Sequence, residues 1–208
     1  MSHEARGRDG SSSLSTLEDR RRLVDQYRDL LERANAHQNL VGRSTLEDFD
    51  IRHVLDSAQL LDLAPHARIW VDLGSGGGLP GVILAILLRG TEGAVVHLIE
   101  SVGRKCAFLE DVVARLSIPA MVHRGRAERL AIAADAVTAR ACAPTKRLFA
   151  YAHPHLALGG LGIFLKGAGL DSELAEARRE WRWSGRIEPS RSDPGGRILI
   201  VEDLRHAS

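Results

Sequence analysis

A chain of 208 residues, 44% hydrophobic and 26% charged, is long enough for one α/β domain with a buried core and too short for two of ordinary size. Its 28 Lys+Arg against 27 Asp+Glu, a formal net charge of +1, exclude a globally electrostatic binder of nucleic acid or anionic membrane, so any basic surface has to be local. Two cysteines, Cys106 and Cys142, lack Cys-x-x-Cys or Cys/His ligand spacing, which argues against a disulfide framework and against any metal site. No apolar run approaches the roughly 20 residues of a membrane helix, and the polar N-terminus has no apolar core for a signal peptide. A soluble cytoplasmic protein is the expectation.

Residues 1–14, Gly- and Ser-rich, are expected to form a disordered tail. Residues 15–66 form a helical cap in this reading, and 67–208 a single core domain. Ser15-Thr16-Leu17-Glu18 reads as a capping box opening a helix with Leu23, Tyr27, Leu30, Leu31 and Ala34 on one face. A second box, Ser44-Thr45-Leu46-Glu47, opens a helix with Ile51, Val54, Leu55, Ala58 and Leu61 at helical spacing, which stops before Pro65. His53 and Asp56 lie one turn apart on it, where they are candidates for a substrate entrance.

Ile69 to Leu73 reads as a buried strand, and four glycines crowd into the next few residues before Pro80 opens the apolar helix Val82 to Leu88. Further buried strands follow at Ala94 to Ile99, Ala120 to His123, Ala136 to Ala139 and Leu161 to Leu165. They alternate with helices at Gly103 to Leu116, Pro144 to Leu158 and Leu170 to Trp181. That alternation predicts an α/β fold with a mostly parallel, doubly wound sheet. Trp183 to Ile187 and Arg197 to Val201, flanking Asp193-Pro194-Gly195-Gly196, predict a closing C-terminal antiparallel hairpin.

Strand, glycine loop and helix together make a nucleotide cradle: without Cβ atoms the backbone can approach a ligand closely, and a helix start offers free amides. Gly76, Gly78 and Gly81 fit the G-x-G-x-x-G of dinucleotide folds, whereas Asp72, Gly74, Gly76 and Gly78 fit the D-x-G-x-G-x-G of S-adenosylmethionine (AdoMet) methyltransferases. Glu100, at the tip of the next strand, can accept ribose hydroxyls in either class. Glu128 after the third strand suits an adenine edge, and no Tyr-x-x-x-Lys or histidine pattern for hydride transfer is visible. An NAD-dependent oxidoreductase and a non-catalytic RNA-binding assembly factor are the competing readings.

Asp72-Leu-Gly-Ser-Gly-Gly-Gly-Leu-Pro-Gly81, Glu100-Ser-Val-Gly-Arg-Lys-Cys-Ala-Phe-Leu109, Gly125-Arg-Ala-Glu128, Thr138-Ala-Arg-Ala141 and Leu165-Lys-Gly167 closely resemble the RsmG (GidB) family of 16S ribosomal RNA guanine-N7 methyltransferases. Upstream, Asn39-Leu40 and Arg52-His-Val-Leu-Asp-Ser57 resemble its N-terminal helical motif. The resemblance implies a Rossmann-like class I AdoMet-dependent fold with an N-terminal helical extension. It also implies AdoMet contacts at Gly74 and Leu79, at Ala127 and Glu128, and at Arg140, with Glu100 on the ribose; the glycine-loop motif adds Gly76 and Gly78 to the cofactor-binding candidates. The implied partner is 16S ribosomal RNA or the small ribosomal subunit; the modest net charge and the glycine-crowded cofactor loop make a monomer meeting RNA transiently the expectation.

Guanine N7 carries an in-plane lone pair and no proton, so its methylation needs no general base, and the catalytic contribution expected is orientation. Arg126, Arg140 and Lys166 are candidates for orienting the base through O6. Arg104-Lys105, Arg124 to Arg129, Lys146-Arg147 and Arg178 to Arg186, the last interleaved with Trp181 and Trp183, are candidate RNA-backbone clusters.

Overall fold

The computed structural model describes residues 9–42, 46–156 and 159–207. Helix α1 runs Asp9–Gln38. A π-helical turn, Asp50–Leu55, continues without a break into α2, Asp56–Leu63. Then follow β1 (Ile69–Leu73), α3 (Gly81–Leu87), β2 (Val95–Glu100), α4 (Gly103–Leu116) and β3 (Ala120–Arg124). A 3-10 turn at Ala127–Arg129 leads to β4 (Ala136–Arg140), α5 (Thr145–Leu156), β5 (Leu161–Lys166), α6 (Leu170–Ala177), β6 (Trp181–Pro189) and β7 (Arg197–His206).

The seven strands form one sheet in the order β3-β2-β1-β4-β5-β7-β6. β1 to β5 are parallel, and β7 runs antiparallel between β5 and β6. Strand alternation divides the apolar side chains between two cores. Trp70, Val96, Leu98, Ala136 and Ile163 face α1 to α4, whereas Val71, Ile99, Val137, Ala139 and Phe164 face α5 and α6. The strand order reverses between β1 and β4, so a crevice opens at their carboxyl ends, the usual ligand position in such sheets.

Several boundaries differ from the sequence reading. α1 starts at Asp9, not at the Ser15 box: the helical turns run through Ser15 to Glu18 instead of opening there. Residues 1–8 of the expected tail, and Ser44 and Thr45 of the second box, lie outside the described residues. The helix expected to end at Trp181 stops at Ala177, and Trp181 opens β6.

The largest correction concerns the second helix. Ile51 and Leu55 are exposed, while Phe49, His53, Ser57 and Leu60 are buried. The π turn holds about 4.4 residues per turn rather than 3.6, which rotates the inward face. A polar His53 is thereby carried into the protein, and an Ile51 at ideal α spacing is turned out.

Candidate functional site

The loop from Gly74 to Pro80 folds tightly on itself above β1. Ser75 N donates to Ile99 O at 3.0 Å, Gly78 N to Ser75 O at 2.7 Å, and Ser75 Oγ to Asp72 O at 3.0 Å. Gly74 (φ +66°), Gly76 (+58°) and Gly78 (+99°) lie in the left-handed region that side chains disfavour. From behind, Tyr27 of α1 donates its hydroxyl to Gly77 O at 2.6 Å, and burial pushes this phenol far above its ordinary pKa. Leu79 is buried beneath the loop, and the Leu79–Pro80 peptide is cis. A Cβ on Gly81 would run into Leu98 and Asp72 Oδ2.

Two acids face this loop. Asp72 is fully buried, and burial pushes its pKa up to about 7 against the opposing pull of Ser75, Gly81 and Arg140. Its Oδ2 accepts from Gly81 N at 3.2 Å, and its Oδ1 has no partner among the described residues. Glu100, 6% exposed, accepts Gly76 N on Oε2 at 3.0 Å and Ser101 N and Val102 N on Oε1 at 2.7 and 2.8 Å. Three of roughly four acceptor sites on this carboxylate are used, which leaves capacity for a hydroxyl donor.

A ligand combining a ribose with a cationic amino-acid tail fits this set. The glycine cradle is open where Cβ atoms would close it, Glu100 retains acceptor capacity, and Asp72 Oδ1 is an orphaned buried acceptor. At the other side, His155 of α5 fixes the turn after β3: its Nδ1 accepts Ile132 N at 3.1 Å and its Nε2 donates to Ala127 O at 3.3 Å. Burial keeps this imidazole below its usual pKa, consistent with the neutral ring those bonds require. Ala127 is buried there and Glu128 is exposed beside it.

Beyond the tip of β4 lies a cavity of about 590 Å³. Its walls come from five parts of the chain: Arg52 and Asp56 of the cap, Arg140 to Pro144 at the end of β4, Leu165 to Gly167 at the end of β5, Glu173 of α6, and the loop joining β6 to β7. Arg140 Nη1 donates to Arg52 O at 3.1 Å and to His53 Nδ1 at 2.7 Å. The π turn explains this reach, since its wider winding releases a carbonyl from the α-helical ladder. Burial, with Arg140 beside it, holds His53 down at about 4, so the ring is neutral and can accept. Burial likewise lowers Arg140, with Asp56 and Asp72 pulling the other way. Cys142 packs against Gly74, and burial lifts its thiol to about 11.

Lys166 also lines this cavity, but its ammonium is committed to Ala143 O at 3.2 Å and to Glu173, which Thr145 also holds through N and Oγ1. Gly74, Gly76, Gly78, Leu79 and Glu100 are brought together at the cradle, Ala127 and Glu128 stand at its β3 side, and Arg140 and Lys166 face the cavity. Arg126 is not brought together with them. It is exposed after β3, four strand positions from β5, or roughly 19 Å at about 4.8 Å per strand; an orienting role on the same base as Lys166 is set aside.

The tryptophans are not stacking platforms either. Trp181 is buried against Phe149 and His206, and Trp183 packs on Phe149 under the Arg178 guanidinium. Of the basic clusters, Lys146 pairs with Glu180 and Arg186 with Glu188. Among the described residues, Arg104, Lys105, Arg124, Arg126 and Arg129 enter no ion pair. Sequence reasoning missed Tyr27 and His155 as supports of the cradle. Both sit at apolar helical positions, and nothing in the spacing marks the carbonyls they meet.

Comparison with known proteins bears on this site. A family model described as rRNA small subunit methyltransferase G (GidB) matches residues 20–192. A protein named ribosomal RNA small subunit methyltransferase G from Caulobacter vibrioides strain NA1000 is 50% identical over 181 residues, covering 87% of this chain and 84% of that one. Its namesake from Parvibaculum lavamentivorans is 47% identical over 182 residues, 86% of this chain and 80% of that one. Among solved structures, a mutant of MtNAS in complex with S-adenosylmethionine superposes with a TM-score of 0.56 at 18% identity, covering 93% of this chain and 80% of that one. At that identity the likeness concerns the fold alone.

Proposed function

The chain belongs to the rRNA small subunit methyltransferase G (GidB) family and is an AdoMet-dependent ribosomal RNA methyltransferase; we propose that its target atom is N7 of a guanine in 16S ribosomal RNA. The observation that carries this reading is the adjacency of two spaces at the β4 tip. A glycine cradle with acids for a nucleoside lies on one side, and a cavity large enough for a purine lies on the other. Arg140 stands between them.

Bound AdoMet supplies an electrophilic methyl group on a sulfonium centre. The N7 lone pair would take that methyl with S-adenosylhomocysteine as the leaving group, and no proton would have to be removed. The residues therefore act by placement. In this reading Gly74, Gly76 and Gly78 let the backbone close on the ligand, Leu79 floors it, and Glu100 takes a ribose hydroxyl. Ala127 and Glu128 border the adenine, and Arg140 steers the methionine carboxylate or the incoming base.

Asp72, buried and unpartnered at Oδ1, gives the cationic end an acceptor. Lys166, already held by Glu173 and Ala143, acts on the substrate only through the electrostatics of the cavity wall. The unpaired cations Arg104, Lys105, Arg124, Arg126 and Arg129 support an RNA-backbone contact along the β2 and β3 tips. No helix among the described residues is long and apolar enough to cross a membrane. The reading has the protein working in the cytoplasm as a monomer, which sedimentation of the purified protein would test.

The central experiment is mass mapping of 16S ribosomal RNA incubated with the purified protein and AdoMet. A single new 7-methylguanosine is the expected result. Methylation at another atom would refute the N7 assignment, and RNA binding without methyl transfer would return the protein to the class of assembly factors. Titration with AdoMet and NADH separates the cofactor classes, with heat evolved for AdoMet alone.

A further inference from the structure

Asp56 sits where the helical cap and the C-terminal hairpin meet on the cavity wall. One of its oxygens is saturated: Oδ1 accepts Gln59 Nε2 at 2.8 Å, Ser190 Oγ at 3.1 Å and Ser192 Oγ at 2.7 Å. The network is itself fixed, since Gln59 Oε1 accepts Arg191 N at 2.9 Å and Ser57 Oγ donates to His53 O at 2.6 Å. Oδ2 meets no donor among the described residues. Around it the other charges of the cavity are largely spent on one another, Lys166 with Glu173, Arg52 with Asp193 and Arg197 with Asp171. Asp56 thus lines the cavity with one carboxylate oxygen that accepts no hydrogen bond among the described residues, near the Arg140 guanidinium and among charges that are otherwise paired.

We propose that Asp56 Oδ2 accepts the N1–H or N2–H of the target guanine and is the residue that selects guanine over adenine; the inference rests on the N7 reading above. When N7 faces the cradle at the β4 tip, the N1/N2 edge of the purine points away from it, into the cavity. Guanine offers hydrogen-bond donors along that edge. Adenine turns the lone pair of N1 towards the carboxylate, and a buried acceptor facing an acceptor is a rejecting element. Arg140 complements the arrangement: with Nη1 committed to Arg52 O and His53 Nδ1, the rest of its fork is available to O6, which lies between N7 and N1 on the guanine rim.

Asp56→Asn isolates this role from the structural one. Asparagine keeps an oxygen for the Gln59, Ser190 and Ser192 donors, turns the outward atom from acceptor to donor and removes the negative charge that acts on Arg140. Once the methylated position of the RNA has been mapped, wild type and D56N are compared on transcripts carrying guanosine or adenosine there. On guanosine RNA, D56N should lose about 10- to 100-fold in kcat/KM, as for loss of a hydrogen bond to a charged group, a far larger change than in melting temperature or AdoMet affinity. Its preference for guanosine over adenosine should shrink by a similar factor. Undiminished turnover of guanosine RNA, or an equal loss on both bases, overturns the proposal. Absence of 7-methylguanosine from the wild-type product instead removes the N7 reading, and this inference with it.

Discussion

Replacing Gly74 by alanine tests the cradle at its tightest contact. At φ +66° a side chain costs about 1–2 kcal/mol. The new Cβ would also stand 2.7 Å from Cys142 Sγ, about 1 Å inside the optimal separation of about 3.5–4.0 Å. Relieving that overlap displaces the segment after β4, an overpacking cost of about 1–3 kcal/mol. A total near 3 kcal/mol lowers the melting temperature by about 6–12 °C in a chain of this size, and AdoMet affinity falls because Arg140 moves with the segment. Adding Cys142→Ala removes the sulfur and leaves a Cβ contact of 3.4 Å. The double variant should recover the packing share and keep the backbone share. Differential scanning calorimetry and AdoMet titration of G74A, C142A and the pair give the coupling energy, expected at about 1–3 kcal/mol. Strict additivity of the two single effects would refute the steric account.

Stability below neutrality should carry two opposed slopes. His53, held at about 4 when folded against 6.5 when free, binds its proton first in the unfolded chain, so its contribution is lost as pH falls from about 6.5 towards 4. Asp72, raised from 3.8 to about 7, binds its proton first in the folded chain, so its contribution is lost as pH rises from about 4 to 7. Urea unfolding across that window should therefore show a steeper acid loss in Asp72→Asn than in wild type, and a shallower one in His53→Gln; unchanged slopes in both would count against the assignments. Tyr27→Phe strips the donor from Gly77 O and should cost about 1–2 kcal/mol by chemical denaturation, together with weaker AdoMet binding; an effect on stability alone would show that α1 does not shape the cradle. Glu100→Ala orphans the amides of Gly76, Ser101 and Val102, and AdoMet affinity by calorimetry should drop at least about tenfold, with little change counting against Glu100 as the ribose acceptor.

What the sequence disclosed follows from how local the cause is. Apolar runs and glycine crowding marked β1, the loop and Gly103–Leu116, because burial and backbone freedom are decided within a few residues. The antiparallel hairpin was legible from Asp193-Pro194-Gly195-Gly196. Its length was not: β6 extends to Pro189 and β7 to His206 through exposed residues held by pairing rather than by burial. The face of the second helix was misjudged because nothing in the local spacing marks a π turn, and the partner that meets Arg52 O and His53 Nδ1 on it, Arg140, lies 88 and 87 residues away. The same distance hid the Asp56 network, whose serines lie 134 and 136 residues downstream. Arg126 does follow the third strand as the sequence reading has it, but the strand order that stands it four strands from Lys166 is not written in the motif.

The loop between β6 and β7 also sets an order of events during synthesis. The cradle and its His155 support are complete by the end of α5, but the wall that Ser190, Ser192 and Asp193 bring against Asp56 and Arg52 is made more than 130 residues after its counterpart. A chain emerging from its N-terminus thus assembles its cofactor site before the space for its second substrate is enclosed. A chain that stops short of Arg197 leaves β5, buried in the finished protein by β7, as an open apolar edge that invites aggregation. Premature termination near the end of the message would therefore yield insoluble chains rather than a soluble, half-working enzyme.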